Sequence, residues 1–131
     1  PFLTADAEAW RFYEPVLEQR LSELNGAALQ ERVRAALIEM LPSGRGSVEH
    51  VAEALAMSAR SLQRHLRREN TTFQKTLAAT RAQLAKHYLR SPEVTSTEVA
   101  LLLGYDDPNS FFRAFRAWTG TTPERARLAL A

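Results

Sequence analysis

Apolar residues recur at helical spacing along almost the whole chain. Leu29, Val33, Ala36, Leu37, Met40 and Leu41 fall three and four apart, which predicts a helix from about Ala27 to Leu41. Further upstream, Val16, Leu17, Leu21 and Leu24 mark a helix that opens on Pro15 and stops at Asn25-Gly26. Trp10, Phe12 and Tyr13 form a shorter aromatic segment before it. Phe73, Leu77, Leu84, Tyr88 and Leu89 predict a longer helix, roughly Phe73 to Leu89. No apolar run alternates with polar residues, and no Asn-Gly or Asp-Gly joins two such runs. The expected fold class is therefore all-α.

Local stop and start signals divide the rest. Pro42-Ser43-Gly44-Arg45-Gly46 reads as a turn-rich linker and is the expected main boundary. Ser47 can cap a helix through about Leu55, and Ser58 one through about Glu69. Ser91-Pro92 ends the long helix. Thr95 and Glu98 have capping-box spacing and open a helix to Leu103. Asp107-Pro108 pairs an N-cap with a first-turn proline, opening a helix to about Thr119 that Gly120 ends. Thr122-Pro123 starts a short final helix.

Two stretches repeat. Val51-Ala52-Glu53-Ala54-Leu55-Ala56-Met57 matches Val99-Ala100-Leu101-Leu102-Leu103-Gly104-Tyr105 at an offset of 48. Ser61-Leu62-Gln63-Arg64-His65-Leu66 matches Ser110-Phe111-Phe112-Arg113-Ala114-Phe115 at an offset of 49, so the second turn is one residue longer. Each copy is a helix, a tight turn and a second helix. Ala52 and Ala100 allow close helix packing, and Met57 and Tyr105 can plug the gap beside the turn. This is the build of a helix-turn-helix, whose second helix enters the DNA major groove.

Such a reading helix needs an apolar inner face and a polar, basic outer one. Leu62 and Leu66 supply the inner face in the first copy, with Arg60, Arg64, Arg67 and Arg68 opposite and Gln63 beside them. In the second copy Phe111, Phe115 and Trp118 face inward, leaving Asn109, Phe112, Arg113 and Arg116 outside. Arginine, glutamine and asparagine are the side chains that contact guanine and adenine edges bidentately. An arginine cluster on one helix is by itself an ordinary solvated face. The same arrangement in two copies is a far more specific signal. Phe112 has two readings: contact with a thymine methyl or the sugar backbone, or packing on the final helix.

Charge sharpens this picture. The 131 residues carry 17 lysines plus arginines against 15 acids, a formal net of +2 that does not announce a nucleic-acid partner. Residues 1–40, however, hold seven acids and four arginines, net −3, and residues 41–131 hold thirteen bases and eight acids, net +5. The chain has no cysteine, which excludes disulfides, thiolate metal sites and a cysteine nucleophile. His50, His65 and His87 lack zinc-helix spacing, and Asp106-Asp107 is better explained as helix capping than as an acid/base pair. There is no Gly-rich phosphate loop and no Gly-x-Ser-x-Gly elbow. No enzyme activity, cofactor or metal is expected. No apolar run approaches the roughly 18 residues of a membrane span, and no signal peptide is evident. The start at Pro1, without methionine, suggests a piece of something longer.

Residues from about Ser47 to Arg127 resemble the tandem helix-turn-helix domain of AraC/XylS-type bacterial transcription regulators. The marks are Ser58-Ala59-Arg60-Ser61-Leu62-Gln63-Arg64, the run from Val99 to Tyr105, Phe111 to Phe115, and Trp118-Thr119-Gly120-Thr121-Thr122-Pro123. Departures are mild: Asn70-Thr71 where Gly-Thr or Gly-x is usual, Asn109 and Thr122 for serine, and Phe112 at a usually small or polar position. The resemblance implies sequence-specific double-stranded DNA binding by two recognition helices in successive major grooves, joined by the Phe73–Leu89 helix. The grooves would lie one turn, roughly 34 Å, apart. By position the base-reading residues are Ser58, Arg60, Gln63 and Arg64, then Pro108, Asn109, Ser110, Phe112 and Arg113. Arg67, Arg68 and Arg116 correspond to phosphate contacts, with the helix starts at Ser47 and Thr95 adding backbone N–H groups.

The expected organisation is residues 1–41 as a helical lead-in or linker, 42–90 as the first helix-turn-helix unit with its connecting helix, and 91–131 as the second. The lead-in resembles the segment that follows an effector-sensing domain in one branch of the family. Its Trp10–Leu24 stretch is then a linker or dimerisation helix, or simply packs on the Ala27–Leu41 helix. Expected partners are promoter or operator DNA, RNA polymerase, and an effector held by a sensory domain outside these residues. The expected location is cytoplasmic, on the nucleoid, with no membrane contact. The rival reading is a helical protein–protein adaptor that uses the acidic N-terminal segment.

Overall fold

Helical spacing, capping and turn chemistry agree along the chain, and the architecture follows from them. The computed structural model describes residues 28–130. The expected Pro15–Leu24 helix and the aromatic segment before it lie outside the described residues. Seven α-helices and no strand occur among the described residues. They are α1 (Leu29–Met40), α2 (Val48–Ala54), α3 (Ala59–Arg68), α4 (Phe73–Leu89), α5 (Ser96–Leu102), α6 (Pro108–Thr119) and α7 (Pro123–Leu130).

The caps expected at Ser47, Ser58, Thr95 and Asp107 form, and Thr72 adds one that the sequence reading did not name. Ser47, Ser58, Thr72, Thr95 and Asp107 each accept a hydrogen bond from a backbone N–H three residues on. At Thr95 the capping box is complete, because Glu98 also accepts from the Thr95 N–H at 3.0 Å. Each such cap satisfies a donor that the helix leaves orphaned.

Helix α1 buries Leu29, Val33, Ala36, Leu37 and Met40 against α2, α3 and α4. The lead-in helix thus belongs to the core of the first helix-turn-helix, where α2 adds Val51 and Ala52 and α3 adds Leu62 and Leu66. The Pro42–Gly46 stretch is also more integrated than a spacer. Leu41–Ser43 forms one 3-10 turn, with Leu41 fully buried and the Ser43 hydroxyl donating to the Met40 carbonyl at 2.9 Å. A Cβ on Gly46 would lie 2.5 Å from Leu41 Cδ2, so glycine lets the chain pass over that buried leucine.

Helix α4 runs 17 residues and carries both units. It packs on α1, α5 and α7 and buries Phe73 and Leu77 in the shared core. Thr76 and Thr80 are buried on this helix, and each hydroxyl donates to the carbonyl four residues back. A polar atom that satisfies itself within its own helix can be buried without the usual desolvation penalty. The second unit buries Val99, Ala100 and Leu103 from α5 and its flank in one cluster with Phe111 and Phe115 of α6.

Candidate nucleic-acid interface

The turns that lead into α3 and α6 are the same motif. Ala56 N–H donates to Glu53 O and Met57 N–H to Ala52 O, at 3.0 and 2.9 Å. Gly104 N–H donates to Leu101 O and Tyr105 N–H to Ala100 O, at 3.0 and 3.1 Å. This pairing is the Schellman C-cap, which requires one left-handed residue. Ala56 fills it with φ 57° and Gly104 with φ 83°. Asn70, with φ 63°, fills the same role after α3, and Asn tolerates that region through its short polar side chain. The Met57 and Tyr105 side chains are half-buried against the core beside their turns, as the repeat predicts.

Helix α3 presents Arg60, Gln63, Arg64, Arg67 and Arg68 to solvent, with Leu62 and Leu66 fully buried opposite. Arg67 and Arg68 stand in the last turn, where cations also favour the helix dipole. Ser58 is exposed at the N-terminus, and its hydroxyl accepts from the Ser61 N–H at 3.0 Å. His65, exposed on the flank of the same helix, did not enter the sequence assignment.

Helix α6 presents Asn109, Arg113 and Arg116, with Phe111 and Phe115 buried and Trp118 half-buried. Pro108 and Ser110 are half-buried at its start. The Ser110 hydroxyl donates to Asp107 Oδ2 at 2.9 Å and accepts from Arg113 Nη2 at 3.3 Å. The Ser110 N–H also donates to Asp107 Oδ1 at 2.9 Å. Those two Ser110 bonds, with a smaller effect from Arg113, hold the Asp107 carboxyl below its ordinary range. The start of α6 is therefore a local network, anionic at the cap. Phe112 lies half-buried, its ring 5.8 Å from Phe111, packed against the core while keeping an exposed edge.

The helix starts expected to meet phosphate are engaged internally. The Ser47 hydroxyl accepts from the His50 N–H at 3.1 Å and lies 2.9 Å from His50 Nδ1. The Thr95 hydroxyl and N–H are both used in the capping box.

Three charged residues that sequence reasoning missed hold this frame. Glu69, the C-cap of α3, accepts from Leu29 N–H at 2.7 Å and Gln30 N–H at 2.9 Å, so it caps α1 from 40 residues away. Arg81 donates from Nε to Leu103 O at 2.8 Å and from Nη2 to Gly104 O at 3.4 Å. Its guanidinium carbon lies 4.1 Å from the centre of the Tyr105 ring. Burial raises the Tyr105 phenol pKa, and the charge and hydrogen bond of Arg81 act against that rise. Arg127 donates from Nη1 to Leu89 O and Ser91 O, at 3.1 and 2.7 Å, and from Nη2 to Val94 O. Arg81 had a signal: it stands four residues after Leu77 and three before Leu84, a charge beside an apolar stripe. Glu69 and Arg127 had none, since their partners are distant in sequence.

Comparison with known proteins places these features in context. A family described as a helix-turn-helix domain matches residues 51–129. The ornithine utilization regulator of Pseudomonas aeruginosa is 38% identical over 130 residues, covering 98% of this chain and 38% of that protein. The HTH-type transcriptional regulator VirS of Mycobacterium tuberculosis is 34% identical over 127 residues, covering 97% of this chain and 37% of that protein. The chain thus spans under two fifths of the length of these curated relatives. Among solved structures, the transcriptional regulator CdpR of Pseudomonas aeruginosa superposes with a TM-score of 0.68 at 35% identity, over 78% of this chain and 32% of that one. The C-terminal domain of AraT, a response regulator from Geobacillus stearothermophilus, superposes with a TM-score of 0.67 at 28% identity, over 79% and 86%.

Proposed function

The chain belongs to the AraC-type helix-turn-helix family of DNA-binding transcriptional regulators, and from that premise we propose how it reads DNA. Helices α3 and α6 enter successive major grooves on one face of the duplex. Ser58, Arg60, Gln63 and Arg64 read bases in one groove, and Pro108, Asn109, Ser110, Phe112 and Arg113 in the other. Arg67, Arg68, Arg116 and the helix starts at Ser47 and Thr95 meet phosphate. The carrying observation is the duplicated turn: two Schellman caps of one pattern each lead to a helix with arginines outside and a sealed apolar face inside. Residues 42–90 and 91–131 are the two reading units in this account, and the burial of α1 supports counting it with the first.

In the whole protein we assign effector binding to a sensory domain outside these residues, and RNA polymerase as a second partner at the promoter. The greater length of the relatives supports that assignment. We read the module as cytoplasmic and as binding, not catalysis. Among the described residues no helix is long and apolar enough to cross a membrane.

Selection of duplexes from a random pool tests the reading. Two short preferred blocks about ten base pairs apart are expected. A single block would overturn the two-groove account. The logarithm of affinity should fall with log salt at a slope of about −5 if about six phosphates are neutralised. A flat response would instead favour a protein–protein adaptor.

A further inference from the structure

We propose that Arg81 is a positioning residue that sets the spacing the protein demands between its two half-sites. The inference rests on the two-groove reading above and gives one side chain the task of fixing the distance between the readers.

Besides the shared apolar core and the packing of α5 on the Leu41–Ser43 turn, two arginine clamps tie the second unit to α4. One is at the pivot where the chain leaves the helix. There Arg127, from α7, binds the carbonyls of Leu89, Ser91 and Val94, so the last turn of α4 and the first residues beyond it are clamped together. The other is at the turn between α5 and α6, where Arg81 binds the carbonyls of Leu103 and Gly104 and covers the Tyr105 ring. A body held only at a pivot can still swing about it. A second attachment, set well away from the first, fixes the swing. Arg81 lies about two turns before the end of α4, so its hold on the turn supplies that second point.

The chemistry suits a rigid hold. Leu103 O and Gly104 O lie at the C-terminal end of α5, where carbonyls lack helical partners and the dipole favours a cation. A guanidinium meets two acceptors with fixed planar geometry and stacks on an aromatic face, whereas a lysine ammonium does neither as well. Leu41 adds shape to the same contact. A Cβ on Gly104 would lie 3.2 Å from Leu41 Cδ2 and 3.6 Å from Arg81 Nη2. The residue count from Tyr105 to the start of α6 at Pro108 is short, so the turn and the reader move as one.

Successive base pairs are about 3.4 Å apart, so a swing of a few ångströms at α6 is worth one base pair of spacing. The test uses the full chain and duplexes in which the two selected blocks are separated by the preferred spacing or by one, two or five base pairs more or fewer. The unaltered protein should show one sharp optimum. Arg81→Ala should lose about tenfold at the optimum and much less elsewhere, broadening the profile, while binding to a duplex with only the first block is unchanged. Arg81→Lys, which keeps the charge and most of the stem, should fall between the two. It is the variant on which the outcome is read if Arg81→Ala melts below the assay temperature. Equal losses at every spacing in both variants would overturn the proposal, because that is the behaviour of a residue needed only for folding. A flat spacing profile in the unaltered protein would instead remove the two-groove reading, and this proposal with it.

Discussion

The two helix-turn-helix units share a turn but differ in what the turn touches. In the first, Ala56 holds the left-handed position while exposed. In the second, Gly104 holds it against Leu41 and Arg81. A left-handed alanine costs about 1–2 kcal/mol, which the first unit tolerates because nothing presses on the added methyl. The second unit is tighter there: that methyl would lie 3.2 Å from Leu41 Cδ2, which would have to give, since its turn is a docking point on the rest of the molecule. The cores differ in parallel. The first reader seats two leucines in a core that α1 enlarges, and the second relies on a chain of rings running through Tyr105, Phe111, Phe115 and Trp118. The outer faces differ too: four arginines on α3 against two on α6, whose cap is an anionic aspartate. The duplicated unit is thus specialised, one copy built into the body and strongly basic, the other docked on it and weakly so.

The largest expected effect breaks the second core. Phe111→Ala should destabilise by about 3–5 kcal/mol, since Phe111 is fully buried and touches three other rings. Thermal melting followed by circular dichroism should then show the second unit losing structure before the first. One unchanged cooperative transition would contradict the division into two units.

Next come the arginines proposed to read bases. Arg64→Ala and Arg113→Ala should each cost about 1–3 kcal/mol of binding and relax base preference in a different block. Arg68→Ala should weaken all sequences alike and reduce the salt slope by about one. An unchanged preference profile for Arg64→Ala, measured by repeating the selection, would remove α3 as a reader.

The turns themselves give a pair of opposite signs. Gly104→Ala should destabilise by at least about 1 kcal/mol, from left-handed strain plus the close contact with Leu41. Ala56→Gly relieves the same strain and should stabilise slightly, by about 0.5 kcal/mol after the added chain entropy is counted. Denaturant titration of both variants measures the contrast, and equal signs would show that the two turns are not differently loaded.

The smallest effect is a pH difference between the caps. The Asp107 carboxyl is held below its ordinary value, so its contribution is present above that value and is lost as pH falls through the lower folded one. The Ser58 hydroxyl does not titrate in this range. Following the Ser110 and Ser61 amide shifts by NMR on acidification should therefore show a transition at Ser110 with no counterpart at Ser61.

Sequence order made some of this legible and hid the rest for a physical reason. Caps, stops and the duplicated turn depend on residues within four of one another, so Thr95-Glu98, Asp107-Pro108 and Gly120 marked their helices to within a residue or two. The packing partners of α1 are not legible in its own residues. Its apolar face was plain, but its destination depends on Glu69 and on packing against a helix that starts more than thirty residues later. Arg81 stood out beside an apolar stripe, but its partners are carbonyls, which every residue carries, so no side-chain pattern names them. Among the proposed reading residues, the exposure of Arg60, Gln63, Arg64, Asn109 and Arg113 followed from periodicity, whereas Pro108, Ser110 and Phe112 are half-buried. The internal bonds of Ser47, Thr95 and Ser110 followed from capping.

The carboxylate of Glu69 has a consequence for how motion is shared. First-turn amides of a helix normally exchange with solvent almost freely, yet those of Leu29 and Gln30 are tied to the residue that ends the first reader. Their protection thus becomes a property of α3. Unravelling at the tail of the reader exposes the head of α1, and tension on the chain where it enters α1 is felt first at that tail.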